Sequence, residues 1–209
     1  IGIAFDGDGD RVIMVDEDGT LVDGDQLLYL IMQFYIKEGY EFGGVVGTHM
    51  TNLAFEEKCK MQSIPFARAN VGDRYVSEEL DRRKWILGGE NSGHILVKNL
   101  HSTGDGIISA LQVLSYLVKN KKSLKSALTD IQLYPQILIN IPTENKVNLK
   151  SKTVKNAIKE SEVIMKGKGR ILIRASGTQP LVRVMTEGPL RKDVLKAAKF
   201  LTEKIKEII

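Results

Sequence analysis

Apolar residues in this chain fall into short runs broken by glycine and charge, and their spacing changes in kind near Tyr134-Pro135. Ile1–Phe5 and Val12–Val15 are apolar runs, the first stopped by Asp-Gly pairs and the second by Asp16-Glu17-Asp18-Gly19. That is the pattern of strands flanking loops, the second strand running into a turn. From Asp25 to Glu38 the apolar positions Leu27, Leu28, Leu30, Ile31, Phe34 and Tyr35 recur at helical spacing, with Gly39 as a stop. The same reading predicts a strand at Val45–Gly47, a helix over Asn52–Gln62, a strand over Pro65–Val71 and a helix over Tyr75–Lys84. Two short strands around a glycine-rich turn follow within Trp85–Val97, then a strongly apolar helix over Ile107–Lys119. Such alternation implies a mostly parallel sheet covered by helices, an α/β fold. Beyond Pro135 the order becomes strand Gln136–Ile141, helix near Lys150–Ser161, strand Arg170–Arg174, strand Leu181–Glu187 and a final helix from Arg191. Strands now neighbour one another with helices to one side, a smaller α+β arrangement.

Composition narrows the class. At about 150 residues per domain, 209 residues admit one or two compact units. Apolar residues at 43% and charged residues at 27% exclude disorder, collagen and a disulfide scaffold. No apolar run approaches the roughly 20 residues of a membrane span and no secretory leader opens the sequence, so the chain reads as cytoplasmic. The one cysteine, Cys59, sits in a charged helical stretch and reads as a bystander. Residue 1 is Ile and runs almost directly into a dense motif, which reads as a piece of a longer chain. The net charge of +4 is unevenly spread: residues 135–209 hold 16 Lys and Arg against 7 Asp and Glu, and residues 1–134 hold 14 against 19. An acidic part suited to a cation joined to a basic part suited to an anion fits a phosphorylated small molecule better than nucleic acid. For most of the C-terminal lysines, a solvated helix face is sufficient explanation.

Three loops carry candidate chemistry. In Asp6-Gly7-Asp8-Gly9-Asp10-Arg11, alternate carboxylates separated by glycines can converge on one hard cation. Glu17 falls where a calcium-binding EF-hand loop has its last ligand, but Arg11 replaces the required glycine and the flanks read as strands, which favours Mg²⁺. An acidic turn without metal is the plainer alternative. In Gly88-Gly89-Glu90-Asn91-Ser92-Gly93-His94, Glu90, Ser92 and His94 offer the acceptors and donors that sugar hydroxyls need. A structural role for His94 fits its position equally well, and the pattern is not that of a hydrolase serine. In Arg174-Ala175-Ser176-Gly177-Thr178-Gln179-Pro180, with Arg183 beyond, a glycine turn, two hydroxyls and two guanidinium forks make a phosphate cradle; the alternative is a hydroxyl-rich turn between strands. Thr103-Gly104-Asp105-Gly106 and Val71-Gly72-Asp73-Arg74-Tyr75 read as turns entering helices.

In this order and at these separations the loops resemble the α-D-phosphohexomutase family. Further collinear matches are Val22-Asp23-Gly24-Asp25-Gln26, Val46-Gly47-Thr48 with Met50-Thr51-Asn52, and Pro135-Gln136-Ile137, so the resemblance covers nearly the whole chain. It is greatest to bacterial members acting on glucosamine phosphates, mainly through Gly72-Asp73-Arg74, where relatives acting on mannose or glucose phosphates tend to carry Gly-His. The resemblance implies that residues 1–20 end a second domain, that 21–133 form a sugar-binding α/β domain, and that 134–209 form a phosphate-binding α+β domain like the TATA-box-binding protein. It implies an intramolecular phosphotransferase, an isomerase. A phosphoserine enzyme would interconvert glucosamine 6-phosphate and glucosamine 1-phosphate through glucosamine 1,6-bisphosphate, feeding UDP-N-acetylglucosamine and peptidoglycan synthesis.

By the same resemblance Asp6, Asp8 and Asp10 bind Mg²⁺ and Arg11 sits beside the phosphoserine phosphate. Glu90, Ser92, His94, Asp73 and Arg74 serve the sugar, His94 by supporting its loop. Arg174, Ser176, Gly177, Thr178 and Arg183 grip the phosphate that is not reacting. The implied partners are the phosphorylated amino sugar and N-terminal domains, with a homodimer left open and no nucleic acid or membrane. The alternatives are a phosphomannomutase or phosphoglucomutase of the family, or a metal- and phosphate-binding module without chemistry. Two residues depart from the family pattern: His49 replaces an apolar residue and Gln179 replaces Glu. The family's nucleophilic serine loop is absent from these residues, so this chain alone is expected to be inactive.

Overall fold

The computed structural model describes residues 1–143, 148–176 and 180–208. The chain divides into two compact units, Ile1–Gln132 and Leu133–Ile209.

The first unit opens with an antiparallel sheet of β1 (Gly2–Phe5), β2 (Val12–Val15) and β3 (Leu21–Val22), with β2 in the middle. The register pairs Phe5 with Val12, so the acidic loop 6–11 is the hairpin connection between β1 and β2. The turn into β3 is tied by the Asp16 carboxylate, which accepts the N–H groups of Asp18 and Thr20 at 3.0 and 2.8 Å. α1 (Gly24–Glu38) starts at a reciprocal capping box between Asp23 and Gln26 and stops at Gly39, which is left-handed at φ 73°. Its apolar positions are buried almost all round, against α4 (Gly106–Asn120) and the sheet.

A second sheet has the order β5 (Phe66–Ala69), β4 (Val45–Thr48), β6 (Leu87–Gly89), β7 (Ile95–Val97). β4 is parallel to both its neighbours, and β7 returns antiparallel to β6. The parallel strands need helical crossovers, supplied by α2 (Leu53–Met61) and α3 (Asp73–Arg83). Val46, Ala67, Ala69 and Leu96 of the sheet form one core with Val76 and Leu80 of α3. The β6–β7 turn is the glycine-rich loop 90–94. A short helix, α5 (Leu124–Ala127), follows α4, and Glu17 accepts from the Ser123 hydroxyl and the Lys125 N–H at its start.

The second unit is the antiparallel sheet β8 (Gln136–Pro142), β10 (Leu181–Glu187), β9 (Arg170–Ala175), with β10 central. Helices α6 (Lys152–Ile164) and α7 (Arg191–Lys206) pack on each other and on the sheet. Ile141, Val182 and Val184 meet Val154, Ala157, Leu201 and Ile205 in the core. Alternation along β10 therefore sends Val182, Val184 and Thr186 toward the helices and Arg183, Met185 and Glu187 to the opposite face.

Candidate active site

The hairpin from β1 to β2 gathers three carboxylates. One oxygen from each of Asp6, Asp8 and Asp10 lies within 4.8 Å of the others. Asp6 Oδ1 accepts the Arg11 backbone N–H at 3.1 Å, and Arg11 Nε lies 3.7 Å from Asp6 Oδ2. Desolvation pulls the Asp6 carboxyl upward, but the bonds from Arg11 N–H and Asp10, with the Arg11 charge, leave it below the ordinary carboxylate range. Asp10 moves the other way, raised first by desolvation and then by its bond to Asp6 and the charges of Asp6 and Asp8. Asp10 Oδ1 is buried without a hydrogen-bond partner. Crowded hard oxygens with one orphaned buried acceptor fit a small divalent cation. The EF-hand alternative is excluded by the flanking strands and by Glu17, which is committed to Ser123 and Lys125.

Loop 90–94 lies against this hairpin. Arg11 and His94 form an isolated antiparallel bridge, and Val12 N–H donates to the Gly93 carbonyl at 3.1 Å. Gly93 has φ 92°, and a Cβ there would stand 2.1 Å from the Val12 carbonyl oxygen, so no other residue fits. His94 is buried, with Nε2 3.5 Å from Asp10 Oδ2. Gly24 N–H at the start of α1 holds the loop from the other side, donating to the Asn91 carbonyl at 3.1 Å. Glu90 Oε1 accepts the Gly72 N–H at 2.9 Å, which ties the loop to the start of α3. Ser92 is exposed at the loop tip.

Asp73 and Arg74 open α3 and are exposed. Asp73 Oδ1 accepts the Arg74 N–H at 2.7 Å, and Arg74 Nε donates to Glu78 at 2.7 Å. With Ser77, His94, Thr103 and Gly104 they line a cleft of about 260 Å³. The acidic-loop residues, Glu90, Ser92, His94, Asp73 and Arg74 all belong to the first unit, and direct contacts link the acidic loop to His94 and Glu90 to Gly72.

In the second unit Arg174 and Arg183 are direct cross-strand partners, so both guanidinium groups stand on the face away from the helices. Like charges opposite one another destabilise a sheet, and Arg183 Nε is buried without a hydrogen-bond partner. An anion with several acceptor oxygens answers both. Ser176 N–H closes the strand end by donating to the Leu181 carbonyl at 2.9 Å, while Gly177, Thr178 and Gln179 lie outside the described residues.

By its sequence Thr103–Gly106 reads as a turn that caps the following helix. Asp105 does cap α4, accepting the Ile108 N–H at 2.9 Å, but Gly106 N–H also donates to the Gly9 carbonyl of the acidic loop at 2.9 Å. The available signal was the pair of flanking glycines, which a cap at Asp105 does not need.

Residues 23–134 match the family described as phosphoglucomutase/phosphomannomutase, alpha/beta/alpha domain III, and residues 138–204 match the C-terminal domain of the same family. A relative named phosphoglucosamine mutase from Proteus mirabilis is 48% identical over 209 residues, all of this chain and 47% of that protein. One of the same name from Methylobacillus flagellatus is 51% identical over 99% of this chain and 46% of its own length. The chain thus spans about half the length of the curated relatives it matches. Among solved structures, Aspergillus fumigatus N-acetylphosphoglucosamine mutase in complex with GlcNAc-6P and magnesium superposes with TM-score 0.78 at 20% identity, covering 99% of this chain and 48% of that one. With more than half of its length matched to domain III and its second unit to domain IV, the chain belongs to the phosphoglucomutase/phosphomannomutase family.

Proposed function

We propose that this chain supplies the metal, sugar and phosphate sites of a phosphohexomutase that interconverts glucosamine 6-phosphate and glucosamine 1-phosphate, the nucleophilic phosphoserine coming from N-terminal domains. The observation that carries the reading is the convergence of Asp6, Asp8 and Asp10, with buried Asp10 Oδ1 unpartnered, directly against the loop that bears Glu90, Ser92 and His94. The names of relatives near 50% identity support the substrate class.

The three carboxylates would hold Mg²⁺, which when bound supplies positive charge against the negative charge developing on a transferring phosphoryl group. Arg11, anchored to Asp6 through its backbone, presents its half-exposed guanidinium beside that phosphate. Glu90, oriented by the Gly72 N–H, and Ser92 accept and donate to sugar hydroxyls. Asp73, which lines the cleft, suits the ammonium group of an amino sugar. Arg174 and Arg183 fork onto the phosphate that does not react, and Ser176, Gly177 and Thr178 complete that grip. Holding the sugar by a remote phosphate fixes its reacting hydroxyl without taking part in bond making. A 1,6-bisphosphate carries a phosphate at each end, so by turning over it can present either one to either site.

Turnover of the full-length protein on glucosamine, glucose and mannose phosphates tests this. Glucosamine phosphate is expected to give the highest kcat/KM. Asp8→Ala should lower kcat by about 100-fold or more, and Arg183→Ala should raise KM by about 10- to 100-fold, the loss of one charged hydrogen bond. The 209-residue chain alone should show no turnover. Equal activity on all three sugars would sink the substrate assignment, and turnover by the isolated chain would sink the division of labour.

A further inference from the structure

We propose that Gly104 is a positioning residue: it sets the place of the His94 ring and, through that ring, of Asp10 in the metal loop. The inference rests on the reading of Asp6, Asp8 and Asp10 as a cation site, and it comes from what a side chain at residue 104 would meet. A Cβ there would stand 2.3, 2.6 and 2.7 Å from His94 Nε2, Cε1 and Cδ2. The imidazole is therefore laid directly on the backbone of residue 104, with the nitrogen that faces Asp10 at the point of closest approach. Ordinary contact begins near 3.4 Å, so even one methyl group displaces the ring by about 1 Å.

Backbone conformation does not explain the glycine, because Gly104 and Gly106 are not among the residues with positive φ. Space explains both. At residue 106 a Cβ would meet the Arg11 carbonyl oxygen at 2.8 Å and the Gly9 carbonyl oxygen at 2.9 Å. The turn is also pinned to α4, through the Asp105 cap and the Ser109 hydroxyl, which donates to the Asp105 carbonyl at 2.8 Å. One turn thus grips the helix, the main chain of the metal loop and the ring that touches Asp10. Packing of this rigidity allows the oxygens of a metal site to be held at a fixed separation, and loss of such outer support typically costs about 10- to 100-fold in metal affinity.

Two measurements on this chain test it. Mn²⁺ titration, read by water-proton relaxation, should give an affinity that Asp8→Ala abolishes and Gly104→Ala lowers by about 10-fold. In the His94→Ala background, where the ring is gone, Gly104→Ala should cost nothing further; an equal loss in both backgrounds overturns the proposal. The imidazole ¹⁵N signals provide a readout independent of metal, since the chain has 3 histidines. Gly104→Ala should shift the His94 signals and leave those of His49 and His101 in place, and unshifted His94 signals overturn the proposal. If Asp8→Ala leaves Mn²⁺ affinity unchanged, the cation-site reading fails and its link to residue 104 with it, while the imidazole signals still decide whether Gly104 sets the ring.

Discussion

Glu79 accepts from both Arg82, at 2.6 and 2.9 Å, and Arg83, at 2.5 Å, and these bonds pull its carboxyl down to about 2. A carboxylate lowered on folding contributes stability that is fully present above its unfolded value near 4.5 and is lost as the pH falls toward 2. Glu79→Gln is therefore expected to flatten the fall in stability of the first unit between about pH 4.5 and 2, so that the variant differs most from the parent above pH 4.5 and approaches it toward pH 2. The only tryptophan, Trp85, lies under the Arg83 guanidinium at 4.7 Å, so its fluorescence during denaturant unfolding at pH 6 and pH 3 reads the effect. An identical pH dependence in the variant would refute the assignment. Single residues also mark how far the site was legible in the sequence. Asp6, Asp8 and Asp10 advertised themselves because a metal needs several like charges close together and little else does. Gly104 did not, because its reason is a ring reached only once β7 and α4 are folded against the hairpin, and a local motif had already accounted for the turn.

Among the elements, those whose own sequence sets their ends were legible. α1 carries its capping box and its left-handed glycine, and β10 places Val182 and Val184 at alternate positions in the core with the helices of the second unit. β3 and α5 were not, since 2 and 4 residues are too few for any period; β3 is defined by its pairing with β2, and α5 by the Ser123 cap together with the Glu17 contacts. The face of β10 turned from the helices also differs from end to end. At one end Glu187 is fully buried and takes Arg170 Nη2 at 2.8 Å and Nε at 3.1 Å, with Gln136 on its other oxygen at 3.2 Å. Toward the other end Arg183 faces Arg174, and among the described residues no carboxylate forms an ion pair with either. Glu187→Ala removes the fully buried carboxylate that holds the part-buried Arg170 and should cost the second unit about 3 kcal/mol, whereas replacing both partners with leucine should cost much less. Hydrogen exchange at β10 amides should collapse in the single variant while β4 amides keep their protection; equal loss in the single and double variants would contradict the argument.

Charge is segregated along the whole chain, 16 basic against 7 acidic residues after Tyr134 and 14 against 19 up to it, and this asymmetry was visible in the sequence. What the sequence could not supply was the pairing of specific groups: the orphaned Asp10 oxygen in one unit and the opposed arginines in the other. Each unit therefore carries a different electrostatic cost, and under the proposed function a different ligand relieves each. A ligand that binds only the folded form at 100 times its Kd adds about 2.7 kcal/mol of stability, and it adds it to the unit that binds. Mg²⁺ should slow hydrogen exchange at β4 and not at β10, and inorganic phosphate at matched ionic strength should do the reverse. Matching the ionic strength matters because general screening also relaxes a unit with so many lysines. Arg183→Ala should erase the phosphate effect and Asp8→Ala the Mg²⁺ effect, each leaving the other intact. If chloride protects β10 as well as phosphate does, the basic unit is merely being screened, and the arginine pair is not a phosphate site.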